Sequence, residues 1–307
     1  MREALKITTE ASFGVFNSGA TAGQKATLTL NGSNQFTMRP VPNRYTIRDA
    51  GGRNRTRMVG TEQIGLAGTL TTPLHPSQAG LLLGHCFTPT GTPEDLTSFT
   101  IDHRFQSADS SGTFLYKRYL GCKVAKASLS ASNEGEGTKF MLSLDIVGST
   151  PATITSSDFA PVIGDLATDL PYTFQDSSGL VSIGSARTQY RDLEITVTNV
   201  LDVLFDENQY ANRIKFCGRD GMFSFTQRLN NNNDRSPLEA VTAQTVTIAL
   251  NNGTVATTFN FGAKSIFSSV TDDLPLGREF YQKKTLMSIF DPALSGGSGN
   301  DFTITVV

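Results

Sequence analysis

Few residues in this 307-residue chain are of types and spacings that could do chemistry. Gly19-Ala20-Thr21-Ala22-Gly23-Gln24-Lys25-Ala26 has the flavour of a phosphate loop. Such a loop needs four residues between its glycines, then Gly-Lys and a Ser or Thr for magnesium. This stretch has three and lacks the rest, so it reads as a surface loop. His75, His85 and Cys86 supply zinc-type donors within a dozen residues. A zinc site wants turn or i,i+4 spacing and a fourth partner, whereas Leu81-Leu82-Leu83 places His85 and Cys86 at the end of a buried helix. His103 beside Asp102 reads as a surface pair. The chain has no Gly-x-Ser-x-Gly elbow, and its serines lack the context of an activated nucleophile. Paired carboxylates for glycoside hydrolysis meet only in three dimensions, and the absence of Trp counts against sugar stacking. Asp176-Ser177-Ser178-Gly179 and Asp206-Glu207-Asn208 read as turns rather than calcium loops. No catalytic residue, cofactor or metal ion is therefore expected.

The strongest local charge signal is a run of six arginines with one acid, Asp49, between them: Arg39, Arg44, Arg48, Arg53, Arg55 and Arg57. Gly51-Gly52 marks a turn inside it. Only Tyr45 and the flanking Phe36 offer aromatic faces, too few for a platform on which bases stack. The segment reads as a long loop that contacts another subunit. A second loop, Asn230 to Asn233, joins a strand to a helix. Long loops in sheet proteins are often interaction elements.

The elements behind these residues are strands. Alternation is plain in Phe140-Met141-Leu142-Ser143-Leu144-Asp145-Ile146 and in Phe302-Thr303-Ile304-Thr305-Val306. Similar runs predict strands over 26–30, 45–48, 64–70, 99–105, 114–119, 124–130 and 139–147. The second half adds 180–183, 193–198, 214–217, 222–227, 245–250, 257–261, 264–270, 284–289 and 302–306. Two proline-started segments, His75 to Leu83 and Ser236 to Val241, predict helices of about two turns.

The order of these elements repeats. Gly65-Leu66-Ala67-Gly68-Thr69-Leu70, Leu74, helix, strand, Leu120-Gly121-Cys122-Lys123 and a last strand are followed by a second series. That series is Gly221-Met222-Phe223-Ser224-Phe225-Thr226, Leu229, helix, strand, Phe261-Gly262-Ala263-Lys264 and a strand around Leu286. The expected architecture is mainly β: two tandem β-sandwich domains, each with a short α-helix, over 1–155 and 156–307. The linker falls at about 151–171, a stretch rich in Thr, Ser, Asp and Pro.

Composition agrees with a polar β-protein, with 18% charged residues and no run approaching a membrane span. A net charge of −2 argues against a binder of duplex DNA, which needs surplus cations to displace counterions. Split after Thr155, the halves carry +4 and −6, which suits head-to-tail association. Cys86, Cys122 and Cys217 are odd in number and widely spaced, as reduced thiols would be. The opening Met1-Arg2-Glu3-Ala4-Leu5-Lys6 lacks the apolar core of a secretory signal, so synthesis in a cytoplasm is expected.

Several motifs resemble those of the double-domain tail tube (major tail) proteins of long-tailed phages. They are Ile7-Thr8-Thr9-Glu10-Ala11-Ser12-Phe13-Gly14, Gly68-Thr69-Leu70 with Pro73-Leu74-His75-Pro76, Gly80-Leu81-Leu82-Leu83-Gly84 and Tyr119-Leu120-Gly121-Cys122-Lys123-Val124. In the second half Ile214-Lys215-Phe216-Cys217-Gly218-Arg219 adds to them. The resemblance implies tail-tube-like sandwiches whose sheets line up around a sixfold or pseudo-sixfold ring in the virion tail. Three duplicated chains would then form each ring, as a homotrimer, and rings would stack into a tube. DNA would cross the lumen without specific binding. The implied partners are further copies of the chain, a tape-measure protein and tail tip or terminator proteins, with no membrane anchor. The arginine segment would make the contact between rings, with acids of the second half opposite it. Two other readings fit the sequence: another virion β-protein (a baseplate, decoration or head-completion subunit), or a carbohydrate-binding β-sandwich.

Overall fold

A computed structural model describes residues 3–30, 34–48, 56–86, 96–107, 113–133, 138–159, 166–229, 235–273, 280–289 and 302–307. The chain is mainly β, as its periodicity predicts. In order, the strands are β1 (Ala4–Thr9), β2 (Lys25–Thr29), β3 (Gln35–Arg48), β4 (Thr56–Pro73), β5 (Phe99–Gln106), β6 (Phe114–Ser132), β7 (Met141–Gly148) and β8 (Thr150–Thr153). They continue with β9 (Val181–Ile183), β10 (Ser185–Ala186), β11 (Tyr190–Leu204), β12 (Arg213–Arg228), β13 (Val246–Asn251), β14 (Ala256–Asn260), β15 (Ile266–Asp273), β16 (Tyr281–Met287) and β17 (Thr303–Val306). Helices α1 (Pro76–Gly84) and α3 (Arg235–Glu239) fall where the proline signals place them, and α2 (Ser156–Phe159) is a single turn.

Two layers result. The inner one is a continuous antiparallel run, β3–β4–β7–β6–β11–β12–β16–β15. Over its first part lies β8–β6–β5–β1–β2, and over its second part a separate five-stranded sheet, β10–β9–β13–β14–β17. Strand β6 belongs to both layers of the first part. Its first residues pair with β5 and β8, and from Lys123 on it pairs with β7. Rings bridge the layers: Phe36 lies 5.1 Å from His103, and Phe261 lies 6.4 Å from Phe223 and 5.4 Å from Phe302.

The turn of β6 between layers is made at Gly121, whose φ of +61° favours glycine. A side chain there would meet the Phe13 ring and the Ser149 Cβ, each at 2.8 Å. The buried carboxylate of Glu10 accepts from the Gly121 N–H at 2.8 Å, the Thr100 hydroxyl at 2.9 Å and the Gly14 N–H at 2.8 Å. One side chain thus ties the corner to β5 and to the segment after β1.

Several expectations change. The sequence breaks β6 and β12 into two strands each, because Leu120-Gly121-Cys122 and Gly218-Arg219-Asp220 interrupt the alternation. Both are single strands, one turned at a glycine and the other paired to β11 through a bulge at Val200/Leu201. Four residues of the arginine segment are strand rather than loop: Arg39, Arg44 and Arg48 lie in β3 and Arg57 in β4, which pair antiparallel. Within the stretch 151–171, the described residues make contacts with the body. Phe159 is buried, Leu166 bridges Thr27, and the Asp169 carboxylate accepts from the Ser77 N–H at 2.7 Å at the start of α1. The loop Asn230 to Asn233 lies outside the described residues.

Gly121→Ala combines a disfavoured φ with overlap at Phe13 and Ser149. It should lower unfolding free energy by about 2–4 kcal/mol, read as an earlier urea midpoint at unchanged slope.

Candidate assembly surface

Side chains alternate across the inner sheet without interruption at the β6–β11 junction. One register row toward the core reads Leu142, Leu129, Ile195, Phe223, Leu286 and Phe267, all buried. The neighbouring row on the other face reads Thr71, Ser143, Ser128, Thr196, Met222 and Met287, half-buried or exposed. Hydroxyls dominate this face, and some bond across strands: Thr37 with Thr69 at 2.9 Å and Thr71 with Ser143 at 3.4 Å. Among the described residues its charges are of both signs, with Arg39, Lys126 and Lys283 against Asp145, Asp192, Glu194 and Asp220, and Lys126 stands directly opposite Asp145 in register. Tyr281, at one end, lies under the Arg191 guanidinium at 4.5 Å. The face is broad, polar and poor in aromatic surface, the opposite of a stacking platform for bases.

The junction is a ladder of its own, Asp192 to Thr198 against Ser132 to Lys126. Ser132 donates to Asp192 at 2.7 Å and Ser128 to Glu194 at 3.2 Å on the polar face. On the buried side the Asn199 amide donates to the Val124 carbonyl at 2.9 Å and the Cys86 carbonyl at 3.1 Å. The buried Lys123 ammonium donates to the Ile214 carbonyl at 2.8 Å. Unbonded, that ammonium would carry the full desolvation cost of a charge. Sequence reasoning missed Glu10, Lys123 and Asn199 as anchors: Lys123 and Asn199 bond backbone carbonyls far along the chain, and Glu10 gathers donors from three separate segments.

At its outer limits the sheet ends on β3 and β15, which pair only with β4 and β16 among the described residues. The β3–β4 hairpin also extends past the body, since β4 meets β7 only from Leu66 onward. The Ile64 N–H anchors its base to the Gln209 carbonyl at 2.7 Å. Of the six arginines, Arg39 is exposed on β3, Arg44, Arg48 and Arg57 follow along the hairpin, and Arg53 and Arg55 lie outside the described residues. A family model described as phage tail tube protein matches residues 2–306. The chain belongs to the phage tail tube protein family. No curated protein matches it. Membership in this family gives the chain a structural role in the virion tail and implies self-assembly into a tube. Among the described residues no helix is long and apolar enough to cross a membrane.

In this tail tube protein the zinc-type side chains meet different partners. The His75 ring bonds the Asp169 carbonyl at 2.9 Å, and His85 lies 3.3 Å from the Thr9 hydroxyl, its ring against Phe99. The Cys86 thiol donates to the Leu82 carbonyl, and burial pushes its pKa up. Cys122 is buried, Cys217 is exposed, and all three thiols are free. His103 is not a surface partner of Asp102. Its ring packs between Phe36 and Phe105, while the buried Asp102 forms a two-point ion pair with Arg118 at 2.6 and 2.8 Å. The turns read at Asp176 and Asp206 are turns: Asp176 accepts from the Thr173 N–H, and Asn212 bonds Asp206.

Burial lowers the His85 pKa to about 4, and burial followed by the Lys117 charge lowers that of His103 to about 4. Both rings are neutral in the fold, whereas an unfolded histidine takes a proton near pH 6.5. Their stability contribution is therefore whole above pH 6.5 and is lost as pH falls toward 4. For His85 the loss is on the order of 3 kcal/mol. Thermal melts at pH 7 and pH 4.5 should show a smaller drop in Tm for His85→Gln than for the parent.

Proposed function

We propose that copies of this chain close into rings by continuing the inner sheet from one subunit to the next, and that rings stack into a hollow tube through which DNA passes into the host. The observation that carries this reading is the inner sheet: continuous within one chain, apolar on one face and hydroxyl-lined on the other. Its halves, β3–β4–β7–β6 and β11–β12–β16–β15, have the same connectivity. So do the overlying layers, β8–β6–β5–β1–β2 and β17–β14–β13–β9–β10. This matching order supports a duplicated tube domain, divided near 155, and hence three chains in a pseudo-sixfold ring. Three copies of the eight inner strands make twenty-four. At strand spacings near 4.8 Å and a usual barrel tilt, that barrel is roughly 45–50 Å across at the backbone. Such a bore passes duplex DNA, and a hydroxyl lining with charges of both signs gives phosphates no cationic site to hold.

Stacking is head to tail, a contact that generates filaments. The arginine-bearing β3–β4 hairpin extends past the body and makes this contact with acids of the second half of the next ring. The tube in turn meets a tape-measure protein and tail tip or terminator proteins, and its subunits are made in the host cytoplasm.

Negative-stain microscopy of the purified chain should reveal trimeric rings or tubes. A monomer that persists over a wide concentration range overturns the reading. The triple variant Arg53→Glu, Arg55→Glu, Arg57→Glu should keep the parent's circular dichroism and Tm while forming rings without long tubes. Tubes of parental length would remove the hairpin from the inter-ring contact.

A further inference from the structure

We infer that the ring seam is an antiparallel pairing of β15 of one copy with β3 of the next, in the register that β6 and β11 adopt inside the chain. The inference rests on the tube reading and specifies its interface.

The two halves of the inner sheet superpose residue by residue in their ladders. The Leu74 N–H donates to the Phe140 carbonyl at 2.8 Å, and the Leu229 N–H donates to the Phe280 carbonyl at 2.8 Å. Met141 stands opposite Ser130, and Tyr281 opposite Asp273. Both ladders then skip a single residue at the same step, between Val124 and Lys126 and between Phe267 and Ser269. On the other side Phe36 opposes Leu70 four residues before Leu74, and Leu193 opposes Phe225 four residues before Leu229. Strand β15 thus stands where β6 stands, and β3 where β11 stands.

Inside the chain Thr198 opposes Lys126, and Thr196 opposes Ser128. Transferred to the open edges, this places Val41 opposite Ser269, Pro40 opposite Val270, Arg39 opposite Thr271 and Met38 opposite Asp272.

The burial of these edges supports the transfer independently. Leu193, Ile195 and Ala127 are 2%, 4% and 4% exposed. Their counterparts at the open edges, Phe36, Met38 and Val270, pack against the core yet are only partly buried. The apolar layer is therefore unfinished at the two edges that a second copy would join. Pro40 and Pro42 stand where the internal strand has Val197 and Asn199. Lacking N–H groups, they thin the donors on this edge and discourage indiscriminate strand addition.

The test is disulfide capture in a Cys217→Ser background, which removes the exposed thiol. Directly opposed positions in an antiparallel pair lie within disulfide reach, and diagonal ones at about 7–8 Å do not. The chain carrying Arg39→Cys with Thr271→Cys should, once assembled and oxidised, run as covalent oligomers ending at the trimer on a non-reducing gel. It should link at least tenfold faster than Arg39→Cys with Ser269→Cys. Rings or tubes in the microscope without the 39–271 link, or with an equally fast 39–269 link, overturn this seam and leave the tube reading standing. Parent protein that never assembles overturns both. Should a cysteine variant alone fail to assemble, hydrogen exchange on the parent decides. Outward-facing amides within 36–39 and 269–272 should slow at least tenfold on assembly, and unchanged exchange there overturns the seam.

Discussion

Everything else in this molecule depends on the seven-residue ladder between β6 and β11. Without it the chain would be two sandwiches, each exposing a sheet edge to the other. With it, four strands from each half become one surface, and the apolar row from Leu142 to Phe267 crosses the junction without a break. A one-residue slip at this ladder would turn Ile195 and Leu193 to the polar face and Glu194 and Thr196 into the core. Backbone pairing alone does not set that register. It is fixed from the side by Asn199 and Lys123, which satisfy carbonyls of the opposite half.

The corner in β6 is the second constraint, because it decides where the layers lie. One strand serves both sheets of the first half, so the angle at Gly121 sets the depth of the core between them. Glu10 holds that angle through N–H groups and a hydroxyl from three separate segments. The second half reaches the same arrangement with two strands, β14 and β15, joined through Gly262 at φ +67°. A shared topology is thus built with a bent strand in one case and a turn in the other. Only the residues after the bend, which bear the matching bulges, retain a common register.

The sequence made the strands, the two principal helices and the repeat of their order legible, because each rests on local periodicity or on proline placement. It hid the long-range facts. Nothing in the alternation of Phe114 to Ser132 distinguishes a strand that changes partners midway from two strands. Arg39, Arg44, Arg48 and Arg57 looked like part of a loop because polar and proline residues (Arg39, Pro40, Pro42, Asn43) replace the apolar partners expected of a strand, yet they lie in the paired strands β3 and β4. His103 looked superficial beside Asp102. Adjacent residues on a strand point to opposite faces, and here Asp102 takes Arg118 while His103 takes the aromatic side.

Which face of the sheet is left uncovered was also invisible from sequence, since alternation defines two faces without orienting them. Layer stacking resolves it. The side carrying Leu129, Ile195 and Phe223 is covered by the outer sheets, which leaves Ser128, Thr196 and Ser224 uncovered. An uncovered face this wide is an aggregation hazard if apolar and a phosphate trap if basic. Hydroxyls and charges of both signs avoid both. The remaining hazard is the pair of open edges. There the chain keeps Phe36, Met38 and Val270 only partly covered and limits donors with Pro40 and Pro42, a compromise that makes sense if those edges are meant for one partner and not for any strand that comes by.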